Sequence, residues 1–171
     1  MADYNSTYTG AQIDAAIAKI GGIEAGADVT DTANVTAALA GSVFGTQVVQ
    51  LMVFDDSQDV ATGDGAGDLF FRVPSTMNGM NLVAVAACVQ TAGTTGTTDI
   101  QIHNVTDTAD MLSTVITIDS GETDSSTAAA AAVIDGTADD VATGDVLRID
   151  VDAVSTTAPK GLLLELQFRL P

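Results

Sequence analysis

The sequence contains no tryptophan, one histidine and one cysteine among its 171 residues. A single cysteine cannot form an internal disulfide, and the spaced Cys/His pattern of a zinc site cannot be made. Cys88 has apolar neighbours, so we predict a small core residue rather than a reactive thiol. His103 shares a predicted strand face with Asp99 and Gln101, and no nucleophile is nominated beside it. We therefore predict that the protein is not an enzyme and has no cofactor and no metal.

Basic residues are also scarce, with 5 Lys and Arg against 23 Asp and Glu and a net charge of -18. A surface of this sign repels phosphate backbones and anionic lipids, so we expect no nucleic-acid partner and no membrane partner. The acidity is interpreted mainly as a solubility device. The alternative is that acidic side chains bind Ca²⁺ or a basic partner. The DGAGD stretch at 64–68 offers oxygen ligands, but its spacing is not that of an EF-hand, and a solvated turn is the commoner structure.

Signals for export and for common enzyme classes are missing as well. The first ten residues have no basic region and no long apolar run, so we expect neither a secretory signal nor a membrane span. The acidic pairs Asp55-Asp56 and Asp139-Asp140 fall in predicted turns, and aromatic residues, which usually hold sugar rings, make up 4% of the chain. A glycosidase is therefore disfavoured.

The C-terminal end carries the clearest periodicity. Leu147, Ile149 and Val151 alternate with charged residues, and a second run of alternating leucines and a phenylalanine follows at 164–168. A period of two predicts strands with one apolar and one polar face. We predict that these two strands pair antiparallel and that the preceding strands supply a second layer.

From residue 44 onward the pattern is that of strands separated by Gly/Asp/Thr-rich turns. The predicted fold of 44–171 is an all-β, eight-stranded antiparallel β-sandwich of the jelly-roll type. Two strands, 47–54 and 81–90, are apolar on both faces, which indicates central strands or strands covered from outside. The AAAAAVI run is also compatible with a helix. The predicted strands are 47–54, 68–73, 81–90, 99–104, 111–118, 128–134, 144–152 and 161–170.

The hexapeptide DVATGD occurs twice, at 59–64 and at 140–145. In each copy a Gly-Asp step leads into a predicted strand, and glycine reaches positive φ without steric cost. We predict that the two copies form similar corners of the fold.

Residues 1–43 form a separate, partly helical N-terminal arm. Thr9 is a candidate N-cap for a helix that we expect to run to Ile20 and to stop at Gly21-Gly22. A second short helix, capped by Asp31 or Thr32, is predicted to follow. Aromatic and aliphatic side chains that become buried dominate protein interfaces. We therefore predict that the arm anchors the protein to a partner chain, through Tyr4, Tyr8, Ile13, Ile17 and Ile20.

Several stretches resemble virion proteins of tailed bacteriophages. Residues 8–35, beginning YTGAQIDAAIAKIGG, are similar to the helical N-terminal segments of tail-fibre and capsid-accessory proteins. The stretches beginning DVATGDGAGD and MNGMNLVAVA, together with the closing GDVLRIDVDA segment, resemble the β-rich module of head-fibre and decoration proteins.

The resemblance implies a homo-oligomer, usually a trimer, whose arm grips the virion. The implied function is that of a capsid decoration (cement) protein, made in the host cytoplasm and bound to the major capsid protein at the virion surface. The alternative is a tail-fibre or receptor-binding module that recognises a host surface glycan. No functional residue follows from the resemblance itself.

Overall fold

The computed structural model describes residues 9–26 and 45–171. The chain divides into two compact units, Met1–Leu39 and Ala40–Pro171, which are considered separately. The described part of the first unit is the helix α1, Gly10–Gly26. No described helix has the length and hydropathy needed to cross a membrane.

The start of α1 follows the prediction. The backbone N–H of Thr9 donates to Gln12 Oε1 at 2.9 Å, and the Thr9 hydroxyl donates to the same oxygen at 3.2 Å. The Thr9 carbonyl in turn accepts from the backbone N–H groups of Gln12 and Ile13. This is the N-terminal half of a capping box, in which the third helical residue reaches back to the cap.

The predicted end of α1 is wrong, because the helix continues through Gly21-Gly22 to Gly26. Each glycine costs about 1 kcal/mol relative to alanine inside a helix, which weakens a helix without forbidding it. The second predicted helix, with its candidate caps Asp31 and Thr32, lies outside the described residues.

The second unit is all-β and antiparallel, as predicted. Its described residues form twelve strands rather than eight, because several short pairings have no periodicity of their own. The strands are β1 Thr46–Asp59, β2 Gly63–Asp64, β3 Phe70–Arg72, β4 Met80–Thr91, β5 Thr98–Asn104, β6 Ala109–Asp110, β7 Leu112–Thr114, β8 Ile116–Ile118, β9 Val133–Ile134, β10 Asp140–Val141, β11 Val146–Ala153 and β12 Lys160–Arg169.

Two predicted strands are shorter or broken. The run 111–118 divides at Val115, since β7 pairs with β9 whereas β8 pairs with β5 in a different sheet. The alanine run at 128–132 is irregular and follows a 3-10 turn, Ser125–Thr127, in which Asp124 accepts from the backbone N–H of Ser126 at 2.7 Å. Alanine has a low β propensity, so only Val133 and Ile134 pair there.

The described strands form three sheets. The four-stranded sheet has the order β1-β12-β4-β10. The six-stranded sheet has the order β2-β11-β5-β6, with β3 also paired to β11 and β8 to β5. The small sheet consists of β7 and β9. Strand β4 is therefore an interior strand, as predicted, whereas β1 is an edge strand of the four-stranded sheet.

The two C-terminal strands alternate as predicted but do not pair with each other. Strand β11 belongs to the six-stranded sheet and β12 to the four-stranded sheet, so the loop 154–159 passes from one sheet to the other. Their inward residues belong to one hydrophobic cluster with at most 2% exposure: Leu147, Ile149, Val151, Leu162, Leu164, Leu166 and Phe168. The alternation in both strands therefore reflects burial in one hydrophobic core, to which both sheets contribute side chains.

This arrangement predicts different costs for two neighbouring truncations on β12. Leu164→Ala removes a fully buried side chain and should lower the free energy of unfolding by about 2–5 kcal/mol. Leu163→Ala, on the opposite and partly exposed face of the same strand, should cost less than about 1.5 kcal/mol. Urea denaturation of both variants tests the assignment, and equal losses would contradict it.

Candidate interaction surfaces

The predicted contact residues are only partly within the described structure. Ile13 and Ile17 are four residues apart on α1, and their exposed fractions are 42% and 61%. Ile20 belongs to α1, but its side chain is outside the described set, as are Tyr4 and Tyr8. Residues spaced by four lie on one face of a helix. The structure therefore places two of the five predicted residues on a common, exposed, apolar face.

The outer face of the four-stranded sheet carries a second apolar patch, beside the hydrogen-bonded Gln50, Glu165 and Gln167. Met52 of β1 is in register with Leu163, which is in register with Cys88 of β4. Met52 is 58% exposed and Val48, on the same face of β1, is 54% exposed. A shallow pocket of about 140 Å³ is lined by Met52, Cys88 and Leu163, and one of about 240 Å³ lies beside it. Edge strands with exposed apolar side chains are common docking sites.

Cys88 differs from its prediction as a core residue. It is half-buried and lines both pockets, because register with Leu163 directs it to the outer face. Burial, and to a lesser extent the charge of Asp124, raises the pKa of its thiol. A thiol held in its protonated form is a poor nucleophile, so the position favours packing over chemistry.

The outer face of the six-stranded sheet is polar and is organised around one ion pair. Arg148 donates to both carboxylate oxygens of Asp150, at 2.7 and 2.8 Å, and Asp150 also accepts from the backbone N–H of Gly65 at 2.8 Å. Asp64, the register partner of Asp150 on β2, lies 3.3 Å from the Arg148 guanidinium. Asp150 is 5% exposed, so this network fastens the 64–68 turn to β11. We call these four residues the Arg148 network.

The geometry of this face shifts the pKa values of two carboxylates in opposite directions. Burial by itself would raise the pKa of Asp150, but the bonds from Arg148 and Gly65 outweigh burial and hold the pKa below its usual value. Burial and the charges of Asp150, Asp110, Asp64 and Asp99 raise the pKa of Asp152. Ionised Asp150 therefore stabilises the fold, whereas ionised Asp152, two residues further along the strand, destabilises it.

An aromatic side chain flanks the Arg148 network. Phe70 of β3 is in register with Arg148 and is 68% exposed. On the other side of Arg148 lies His103, which is bonded to Asp110 at 2.6 Å. His103 shares a sheet face with Gln101, as predicted, but neither is freely exposed, since the His103 side chain is 19% exposed and Gln101 is buried. The partner of His103 is a carboxylate on the neighbouring strand. An exposed ring beside charged hydrogen-bonding groups is an arrangement that can bind a polar ligand.

The DGAGD turn has a structural explanation. Asp64 and the Gly65 N–H are engaged by the Arg148 network. At Gly67, where φ is +69°, a Cβ would lie 1.9 Å from the carbonyl oxygen of Val53, so only glycine fits against β1. Within residues 9–26 and 45–171, no group of three or more His, Cys, Asp or Glu side chains is positioned to hold a metal ion.

The two DVATGD copies form different corners. In the second copy Asp145 turns back and accepts from the backbone N–H of Ala142 at 2.8 Å. In the first copy the equivalent Asp64 pairs with Arg148 instead. Val60 and Val141 are buried in both copies, so the repeat conserves an inward valine rather than a turn geometry.

Sequence reasoning missed both the Arg148 network and Phe70. The alternation of Arg148 and Asp150 was a visible signal, since residues two apart in a strand share a face. The remote partner, Gly65, had no signal of its own. In the Leu69–Arg72 stretch, alternation alone could have assigned Phe71 to the core side and Phe70 to solvent.

Comparisons with known proteins give no match: no family model, no curated protein and no solved structure is similar to this chain.

The Arg148 network predicts a contrast between two carboxylates that bind the same guanidinium. Asp150→Asn should lower the free energy of unfolding by about 1.5–3 kcal/mol, because it removes a buried, charge-assisted pair of bonds. Asp64→Asn removes a carboxylate that is 76% exposed and should cost less than about 1 kcal/mol. Chemical denaturation at neutral pH measures both, and similar losses would contradict the network.

The stability lost in Asp150→Asn should depend on pH in a known direction. The folded pKa of Asp150 is depressed below its unfolded value of about 3.9, so its stabilisation is complete above that value. It is lost as the pH falls through the folded pKa. The stability gap between wild type and Asp150→Asn should therefore narrow on acidification from pH 5, and a gap that stays constant would contradict the assignment.

Asp152 should behave in the opposite way. Its folded pKa is raised, so ionised Asp152 opposes folding at neutral pH, and this penalty is relieved as the pH falls through the raised pKa. Asp152→Asn should raise the unfolding midpoint slightly at pH 7, by less in high salt because exposed charges are screened. The difference between the two proteins should disappear once the pH lies about one unit below the unfolded pKa of about 3.9, since the carboxyl is then protonated in both the folded and the unfolded state.

Proposed function

We propose that this chain is a bacteriophage capsid decoration (cement) protein that binds the outer capsid surface through its N-terminal arm and stabilises the shell as a homo-oligomer. The observation that carries the proposal is the exposed apolar face of α1, formed by Ile13 and Ile17, on a unit distinct from the β unit. A folded β unit with a separate apolar segment is what we expect of a protein that binds to an already assembled capsid shell.

The distribution of charge supports this division. Residues 44–171 carry 18 of the 23 acidic residues, whereas the residues of α1 include only Asp14, Lys19 and Glu24 as charged groups. Acidic bodies arranged side by side repel each other at long range. The helix α1, with one basic and two acidic side chains, can approach a partner with less of that repulsion, although the arm 1–43 as a whole carries five acidic residues. The proposed partners are the major capsid protein and further copies of this chain.

For the β unit we propose a jelly-roll-like sandwich, in which the four-stranded and six-stranded sheets form the two layers. The support is the single core cluster to which both sheets contribute, including Ile149 from β11 and Leu164 from β12. The body is proposed to be structural rather than catalytic and to lie at the virion surface after synthesis in the host cytoplasm.

Binding to capsid shells tests the anchor. The double substitution Tyr4→Ala and Tyr8→Ala in the full-length chain should abolish stoichiometric co-sedimentation with expanded shells, because aromatic anchors supply much of an interface's affinity. Phe70→Ala removes an exposed ring from the β unit and is the matched control, which should bind normally. Full binding by the tyrosine variant would refute the arm as anchor.

A second candidate function is recognition of a host surface glycan, and the exposed Phe70 ring beside Arg148 favours it. Aromatic faces stack on sugar rings, and charged groups at their edge hold the hydroxyls. This function predicts saturable adsorption of the protein to host cells. Adsorption to cells should be lost in Phe70→Ala and kept in the Tyr4/Tyr8 double variant. Binding to capsid shells should show the opposite result, with loss in the double variant and normal binding by Phe70→Ala.

A further inference from the structure

The outer face of the four-stranded sheet contains a groove centred on Leu163. The two shallow pockets on this face share Leu163 and Cys88, and one of them extends to Asp56 and the other to Glu165. We call their combined lining the Leu163 groove. Its floor is apolar, because Met52 and Cys88 are the register partners of Leu163 on either side. Met52 is 58% exposed, so solvent reaches this apolar floor.

Carboxylates surround the floor of the groove. Glu165 and Asp124 line one pocket and Asp56 lines the other. Asp124 is held beside the floor by an antiparallel bridge to Cys88. Among the described residues that line the groove, none is basic. Arg169 shares this face of β12, but it is four residues from Glu165, or about 13 Å along the strand. The negative charge is therefore not balanced within the groove.

Two of these carboxylates are held in their charged form. The oxygens of Glu165 accept from the side-chain amides of Gln167 at 2.9 Å and Gln50 at 3.0 Å, and these bonds hold the pKa of Glu165 below its ordinary value. Bonds from the hydroxyl and the backbone N–H of Ser126 lower the pKa of Asp124. Neutral amides satisfy hydrogen bonds without cancelling charge. A cation is therefore the electrostatic complement of this groove.

The length of the exposed surface indicates an extended ligand. Val48 lies four residues before Met52 on the same face of β1 and is 54% exposed, and Asp56 lies four residues after Met52. At about 3.3 Å per strand residue this stretch is roughly 25 Å long. An extended peptide presents every second side chain to one face at the same spacing, whereas a small amine covers one pocket. A lysine in such a peptide has an apolar stem and a cationic end.

We propose that the Leu163 groove binds an extended, lysine-bearing segment of a partner protein. Apolar side chains of the segment cover Met52 and Leu163, and the lysine ammonium group lies next to Glu165. The net charge of -18 attracts a basic segment at long range and speeds its association. This partner goes beyond the proposed function and does not rest on it, because the capsid contact is assigned to the arm.

Fluorescence anisotropy with the full-length protein and a labelled synthetic peptide tests the proposal. In the peptide, leucine and lysine alternate at every second position and serine occupies the positions between them. Binding should be saturable and should weaken about threefold or more between about 50 and about 500 mM salt, because exposed ion pairs are screened. Peptides with glutamate in place of lysine, or serine in place of leucine, should not bind. Absence of binding by the first peptide would overturn the proposal, and equal competition by cadaverine would overturn the extended segment.

Substitutions in the groove separate the charge from the apolar contact. Glu165→Gln with Asp124→Asn keeps the side-chain sizes and removes two charges, so the affinity should fall about tenfold. Met52→Thr shortens the apolar floor, keeps a residue that favours strands, and should lower the affinity about fivefold. Asp68→Asn with Asp107→Asn is the matched control, because it removes two charges from exposed positions outside the groove and should bind normally. An equal loss in the control would show that the peptide follows net charge and would refute the groove.

Methionine methyl resonances locate the contact in the unsubstituted protein. In a titration of protein with isotope-labelled methionine methyl groups, the Met52 resonance should shift as the peptide is added. Met77 and Met111 are internal controls, since they are 3% and 0% exposed in the core and should not shift. A peptide that binds without moving the Met52 resonance has a different site, and the proposal then fails.

The groove and the capsid role can fail independently. Peptide binding is measured without shells, so a protein that binds the peptide and ignores shells would refute the decoration role and leave the groove intact. A protein that binds shells but not the peptide would refute the groove alone.

Discussion

The fold depends on β12, a strand that is hydrogen-bonded on both edges and buried on one face. It pairs with β1 along one side and with β4 along the other. Its inward residues, from Leu162 to Phe168, are fully buried in the cluster that the six-stranded sheet also fills. Because alternation fixes which face each residue takes, a shift by one position would expose four large apolar side chains. The register of the four-stranded sheet is therefore set by the core.

The registers of the two large sheets decide the character of their outer faces. On the four-stranded sheet the register places Met52, Leu163 and Cys88 side by side and makes an apolar patch. On the six-stranded sheet the register of β11 aligns Arg148 with His103 and Phe70 and makes a polar surface. The polar face serves the fold as well, since the Arg148 network closes a turn distant in sequence.

Local patterns predicted the strands far better than their partners. Alternation identified the inward residues of β11 and β12 correctly, because burial acts on each residue of a strand separately. It could not show that the two strands belong to different sheets, since a six-residue loop suits a hairpin or a crossing equally well. The capping of α1 by Thr9 and Gln12 is also local and was predictable. The end of the helix was not, because glycine only lowers the helix propensity. The pairing of Arg148 with Asp150 had a signal in the alternation, whereas their link to the distant backbone N–H of Gly65 had none.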